Sequence, residues 1–298
     1  MNIKAIISLG ISIIAFGISH ITDKVGVNSG LDPWSFAITR VFIAALIVGA
    51  IWVRKARTEH LKLRLHILRN LAVIGIGASG LVVLLGLLAM SSTTATNKGV
   101  MQGMYTAVTM IFAYFMVHER LPRLFVLIFA TMVTGLVLLT TKGDLTLPNP
   151  GDWLLFLTIP IIGFANAYAK KTMKGVQALT VSFGRLFFGI LFLLCFLPFM
   201  TWEQWQTLAS GFKWVLFSGL LSAVSIVTFY EGVELVGPTL AAAMMTISPA
   251  ITAMIEWLFL GQRFTLIQIV GLTLILGSAM LLTRLQVSYA VPPSAVDS

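Results

Sequence analysis

Met101-Gln102-Gly103-Met104-Tyr105, continuing through an apolar run to His118-Glu119-Arg120 and then to Leu138-Leu139-Thr140, has a counterpart later in the chain. There, Met244-Met245-Thr246-Ile247-Ser248 leads to Gly261-Gln262-Arg263 and on to Leu281-Leu282-Thr283. Each stretch reads as an apolar helix, a tight polar turn and a second apolar helix. They stand 143 residues apart, and at that one offset Met101 meets Met244, Ala107 meets Ala250, Thr109 meets Thr252 and Arg120 meets Arg263. A duplicated apolar unit predicts a membrane protein whose solute site lies between two repeats.

Composition points the same way. Of 298 residues, 58% are hydrophobic and 10% charged, with mean hydropathy +0.95; a soluble domain carries roughly 25% charged residues. Crossing about 30 Å of hydrocarbon takes roughly 20 apolar residues, and the chain offers about ten such runs. Helices are expected near 3–22, 33–53, 67–90, 94–117, 121–141, 150–169, 176–199, 211–233, 238–260 and 264–284. The Pro/Gly-rich linker Pro148-Asn149-Pro150-Gly151-Asp152 divides them into two sets of five. Because five is odd, the second set enters the membrane from the opposite side. The expected fold is therefore an all-α membrane protein of ten transmembrane helices in two inverted five-helix repeats, 1–145 and 146–286, followed by a disordered tail, 287–298. The first run lacks a small-residue cleavage site before Asp23-Lys24, so it reads as a retained helix. The one cysteine, Cys195, excludes a disulfide framework.

Lysine and arginine set the expected orientation. With the N-terminus inside, thirteen of them fall at cytoplasmic ends and loops, including the cluster from Arg54 to Arg69, against Lys24, Lys142, Lys213 and Arg263 outside. Both termini are thus expected in the cytoplasm of a prokaryotic inner membrane. The net charge of +9 is topological, and membrane lipids rather than nucleic acid are the expected partners of the basic loops.

The stretch Thr94-Ala95-Thr96-Asn97-Lys98-Gly99, followed by the apolar run into His118-Glu119-Arg120-Leu121, resembles the fourth helix of EamA-type members of the drug/metabolite transporter superfamily. So does Val236-Gly237-Pro238-Thr239-Leu240-Ala241-Ala242-Ala243 through Ser248-Pro249, Gly261-Gln262-Arg263 and Gly271. The sequence departs from the family pattern at Gln262, where glutamate is usual, at Thr106, where proline is usual, and at Lys98, which replaces a small residue. The resemblance implies export of amino acids or other small metabolites, with a central cavity surrounded by the first, third, fourth, sixth, eighth and ninth helices.

Polar groups within a membrane span are costly unless they face a cavity or a partner. Thr94, Lys98, Gln102, Tyr105, Thr106 and Thr109 recur at steps of three and four, one face of the fourth helix. Candidate solute contacts are Lys98, Gln102, Tyr105, Thr109, Ser19, Asn166, Tyr168 and Ser248; candidate proton carriers are His20, Asp23 and Glu256. The serine stripes Ser8-Ser12-Ser19 and Ser218-Ser222-Ser225 also suit close helix packing. For Lys98, an ion pair with Glu256 is the alternative to a solute contact. Arg40 and Arg185, at corresponding places in the second and seventh helices, are expected to snorkel toward lipid heads. Phe16, Tyr105, Tyr168, Phe229 and Tyr230 are possible stacking surfaces.

An enzyme is the competing class. Gly77-Ala78-Ser79-Gly80 matches the serine turn of rhomboid-type intramembrane proteases, but the later histidine, His118, lies in a cytoplasmic turn far from that depth. Close helix contact explains Gly75, Gly77 and Gly80 more simply. There is no phosphate-binding Gly-x4-Gly-Lys loop and no metal-ligand spacing, so no catalytic residue, cofactor or metal is expected. The sequence predicts a secondary transporter that exports a small-molecule substrate by alternating access, as a monomer or homodimer; a passive facilitator or channel, or a proton antiporter, would share every one of these features.

Overall fold

The structure is a computed structural model that describes residues 3–59, 64–119, 123–141 and 148–290. Those residues form helices and turns, with no strand among them. In chain order the helices are α1 (Ile3–Asn28), α2 (Pro33–Glu59), α3 (Leu65–Gly75), α4 (Val82–Ala89), α5 (Ala95–Val117) and α6 (Phe125–Thr141). The second half holds α7 (Pro150–Thr172), α8 (Ala178–Leu194), α9 (Trp202–Val236), α10 (Pro238–Met245), α11 (Ser248–Phe259) and α12 (Leu266–Ala290).

Among the described residues, eight helical runs are long and apolar enough to cross a membrane, and two shorter apolar helices, Phe125–Leu139 and Leu266–Leu282, accompany them. Large apolar side chains such as Phe115, Val126, Phe199 and Leu266 point outward and exposed. A bundle surrounded by water would expose a patch of that kind only at a binding surface; one surrounded by hydrocarbon exposes it everywhere.

Local chemistry sets the helix ends. The Asp32 carboxylate accepts the N–H groups of Trp34 and Ser35 at 3.0 Å each, and Pro33 opens α2 where no N–H is required. Thr94 caps α5 by accepting the Asn97 N–H at 3.0 Å. α9 begins at Trp202, well before the expected residue 211, because Thr201 and Gln204 form a capping box that starts the helix in polar sequence. Hydropathy cannot register that start.

Two expected helices are interrupted. A π-helical turn, Ile76–Leu81, separates α3 from α4, and Thr246-Ile247 separates α10 from α11, where Pro249 denies the backbone an N–H. α12 continues past residue 287 to Ala290; residues 291–298, Arg120-Leu121-Pro122 and Lys142 lie outside the described residues.

Packing joins the two halves. α1 lies along α9, α2 against α8 and α9, α5 along α7, and α6 along α12. Where α6 and α12 cross, a Cβ on Gly135 would stand 2.7 Å from the Gly271 carbonyl oxygen, and one on Gly271 2.6 Å from that of Gly135. Only glycine permits this approach, and in lipid such van der Waals contact is what holds helices together.

Candidate functional site

Asp23 is the electrostatic centre of the bundle. Its carboxylate is 0% exposed. Oδ2 accepts from Arg40 Nη1 at 2.5 Å and from Lys98 Nζ at 2.6 Å, while Oδ1 accepts from Ser218 Oγ at 2.8 Å. Arg40 also donates through Nε to Ser222 Oγ at 2.8 Å and through Nη2 to Ser19 Oγ at 2.9 Å. Ser19 and Asp23 on α1, and Ser218 and Ser222 on α9, are each four residues apart and so share a helix face. The two serine stripes thus meet, and the charges of α2 and α5 are held between them.

The expectation that Arg40 snorkels is corrected, since it is only 7% exposed and held by three polar partners, Asp23, Ser19 and Ser222. Lys98 pairs with Asp23 and not with Glu256. A carboxylate inside the bundle is a nearer and less hydrated partner than a lipid headgroup beyond its edge.

Arg185 of α8 is likewise buried, 4% exposed, against expectation. Nε donates to Ser79 Oγ at 3.0 Å, Nη2 to the Ala78 carbonyl at 3.1 Å and Nη1 to Tyr230 Oη at 3.3 Å. The guanidinium carbon lies 5.6 Å from the Tyr230 ring centre. Ala78 and Ser79 sit inside the π-helical turn, whose altered hydrogen-bond register leaves a carbonyl available to a side chain. Every partner of Arg185 recorded among the described residues is neutral.

Between these two clusters is a cavity of about 90 Å³, where a single water needs roughly 10–15 Å³. Its polar wall includes Lys98, Arg40, Arg185, Tyr105, Asn166 and His20; Val82, Val83, Ile162, Ile226 and Phe229 supply apolar wall. Lys98 and Tyr105 are seven residues apart on α5, so the cavity extends about 10 Å along it.

A family model, the EamA-like transporter family, matches this chain twice, over residues 3–141 and 149–284. The chain belongs to the EamA-like transporter family. An uncharacterized transporter of Clostridium kluyveri is 20% identical over 285 residues, covering 92% of each chain. A solved structure, described as the crystal structure of a protein, superposes with TM-score 0.65 at 16% identity, covering 98% of this chain and 100% of that one. At that identity the likeness concerns fold alone.

Of the candidate residues in this EamA-like chain, Lys98, Tyr105, Asn166 and His20 lie on the cavity wall. Tyr105 shares a hydrogen bond with Thr158 Oγ1 at 2.9 Å, and Asn166 is 4% exposed with Oδ1 lacking a partner among the described residues. Ser19 and Asp23 stand one layer behind the wall, holding Arg40. Tyr168 donates to Asn70 Oδ1 at 2.7 Å and stacks on Phe164, while Thr109 and Ser248 are buried with hydroxyls unfilled among the described residues. The Gln102 side chain lies outside the described residues. Arg185 and Ser222 were missed as wall residues; their depth within apolar helices was the available signal. Gly86 of α4 makes room for the cation, since a Cβ there would stand 3.1 Å from Lys98 Cε.

Glu256 serves the end of α5. Its carboxylate accepts the N–H groups of Ala95 at 3.0 Å and Thr96 at 2.8 Å and the Thr96 hydroxyl at 2.5 Å, where the helix presents its positive end. Beside it, Lys24 Nζ donates to the carbonyls of Met90 and Thr93 at 2.7 Å each. Asp152, missed in the sequence, joins this end by accepting from Thr93 Oγ1 at 2.5 Å and Asn97 Nδ2 at 3.0 Å.

The far end of α5, about 34 Å away, repeats the device. Glu119 accepts the Thr239 hydroxyl at the start of α10, and Lys170 Nζ donates to the carbonyls of Val233 at 3.0 Å and Glu234 at 2.7 Å. The offset of 143 takes Thr96 to Thr239 and Met90 to Val233. Each half's fourth-helix start is thus gripped by an acid from the other half.

Burial pushes the Glu119 carboxyl above its ordinary value, opposed by the Thr239 hydrogen bond. The folded chain therefore holds that proton more tightly than the unfolded chain, and stability falls as pH rises through the window above the ordinary glutamate value. Melting curves from about pH 4 to about pH 8 should show this decline. Glu119→Gln should flatten it; an unchanged slope would remove Glu119 as its source.

Proposed function

We propose that the chain is a secondary active transporter that exports a small metabolite, such as an amino acid, across a prokaryotic inner membrane by alternating access. Its ten apolar helical segments are read as two inverted five-helix repeats, divided near residue 146, with both termini cytoplasmic. The observation that carries this reading is a charged cavity lying between two similar latches at opposite ends of α5, each an acid of one half on the fourth-helix start of the other. Opening the Glu256–Thr96 end while the Glu119–Thr239 end stays shut, then the reverse, would expose the cavity to each side in turn. α5 and the broken α10–α11 run belong to both latches, so one rocking motion serves both ends.

A serine protease is disfavoured by Ser79 itself. Its hydroxyl accepts from Arg185, and a guanidinium cannot take the serine proton.

The test is counterflow in proteoliposomes across amino acids, carboxylates, amines and phosphate esters. Trans-stimulated exchange of any of them supports a carrier; movement of none of them would sink the reading. With Cys195→Ser as background, single cysteines at Ser92 and Val236 should change their labelling in opposite directions when a transported solute binds. Parallel changes at both would indicate a channel-like opening.

A further inference from the structure

We propose that the cavity binds a small organic dianion, a dicarboxylate or a phosphate monoester, with Arg185 as the anchor of one anionic group and the Lys98–Arg40 face receiving the other. This rests on the transporter reading and narrows it from metabolites in general to a charge class.

The argument is a charge count within one buried volume. Three cations, Arg40, Lys98 and Arg185, line the cavity. Asp23 is the acid bound to Arg40 and Lys98, and it touches both through the same oxygen from behind the wall. Among the described residues, Arg185 is hydrogen-bonded to neutral groups, two hydroxyls and a carbonyl. The cluster therefore carries a formal surplus of two positive charges. In a medium of low dielectric an unbalanced cation is costly, and the surplus is relieved most by a ligand that brings two negative charges.

Geometry supports the same occupant. A planar guanidinium offers five N–H donors in a fork suited to carboxylate and phosphate oxygens. The three partners of Arg185 use three of those donors, leaving two. Lys98 has three ammonium hydrogens and one carboxylate contact, so it too retains donors. Asn166 also lines the cavity, and its Oδ1, unfilled among the described residues, would accept from a ligand hydroxyl. The wall also includes Val82, Val83, Ile162, Ile226 and Phe229, which suit a short carbon backbone, and among the described lining residues there is no carboxylate to meet a ligand ammonium group. That last feature separates a dianion from a zwitterionic amino acid.

The test measures binding by thermal shift, and exchange in proteoliposomes, for succinate and glycerol phosphate as dianions, lactate as a monoanion, and leucine and serine as zwitterions. Wild-type protein should bind a dianion about tenfold or more tightly than lactate or either zwitterion. Arg185→Lys keeps the charge but loses the fork, and should weaken dianion binding about tenfold; Arg185→Gln should weaken it further. If Arg185→Gln does not fold, the wild-type ranking and Arg185→Lys decide. Lactate or a zwitterion matching the dianions, or dianion binding undiminished in Arg185→Lys, would overturn the dianion assignment while leaving a transporter. Exchange of none of these solutes or of any other class would instead overturn the transporter reading.

Discussion

Asp23→Ala should fail to accumulate as folded protein, or accumulate with its stability lowered by about 3–5 kcal/mol. The carboxylate holds the buried Arg40 and the largely buried Lys98 at 2.5 and 2.6 Å and a serine at 2.8 Å. Removing it leaves Arg40 and Lys98 side by side, without a counter-charge and largely shielded from bulk water. Breaking one side of a buried ion pair is far more damaging than deleting both. Lys98→Met should therefore be mild by comparison, since the Arg40–Asp23 pair survives it. The double variant Asp23→Asn, Lys98→Met should recover part of what Asp23→Asn alone loses, because it removes one of the two orphaned charges. Detergent-solubilised melting temperature and the denaturant midpoint measure all four. An Asp23→Ala protein within about 0.5 kcal/mol of its parent would show that the cluster is hydrated and that its charges do not depend on one another.

What the sequence disclosed and what it withheld divide along a physical line. Membrane class and the doubled unit follow from local hydropathy and from one offset, so they are visible along the chain. Lys98 and Tyr105 were legible because they share one face of one helix. The Asp23–Arg40–Lys98 cluster was not, because it exists only after α1, α2, α5 and α9 have packed. Glu256 looked like a membrane acid in search of a function; its partners are backbone N–H groups 160 residues away in the chain, which carry no sequence signature.

Arg40 and Arg185 are instructive errors. Arg40 follows Pro33, the first residue of α2, by seven positions, and Arg185 follows Ala178, the first residue of α8, by seven. That places each about 10 Å inside its helix, deeper than an arginine stem reaches from an interface without distortion. At that depth an inward polar partner is nearer than a lipid headgroup. The Gly77-Ala78-Ser79-Gly80 stretch placed a serine at a tight helix contact, and there the Ser79 hydroxyl accepts from a cation.

The same alanine substitution should have opposite effects at two sets of glycines. A Cβ on Gly75 would lie 2.7 Å from the Arg185 carbonyl oxygen and 2.7 Å from Phe188 Cβ; one on Gly189 would lie 2.5 Å from Ser79 Cβ. These neighbours are backbone atoms or Cβ atoms, which cannot swing aside, so α3 and α8 must separate. Overpacking of this kind costs about 1–3 kcal/mol, and it acts where contact between backbones is the attraction. Gly10 and Gly277 are also helical, but nothing stands within 4 Å of a Cβ there. Alanine at those two positions should raise stability by about 0.5–1 kcal/mol through helix propensity alone. Gly75→Ala and Gly189→Ala should lower the melting temperature and also weaken solute binding, because the helix displaced is the one that carries Arg185. If all four substitutions stabilise, the α3–α8 crossing is looser than 2.7 Å implies, and Arg185 is then not held rigidly enough by that crossing to anchor a ligand.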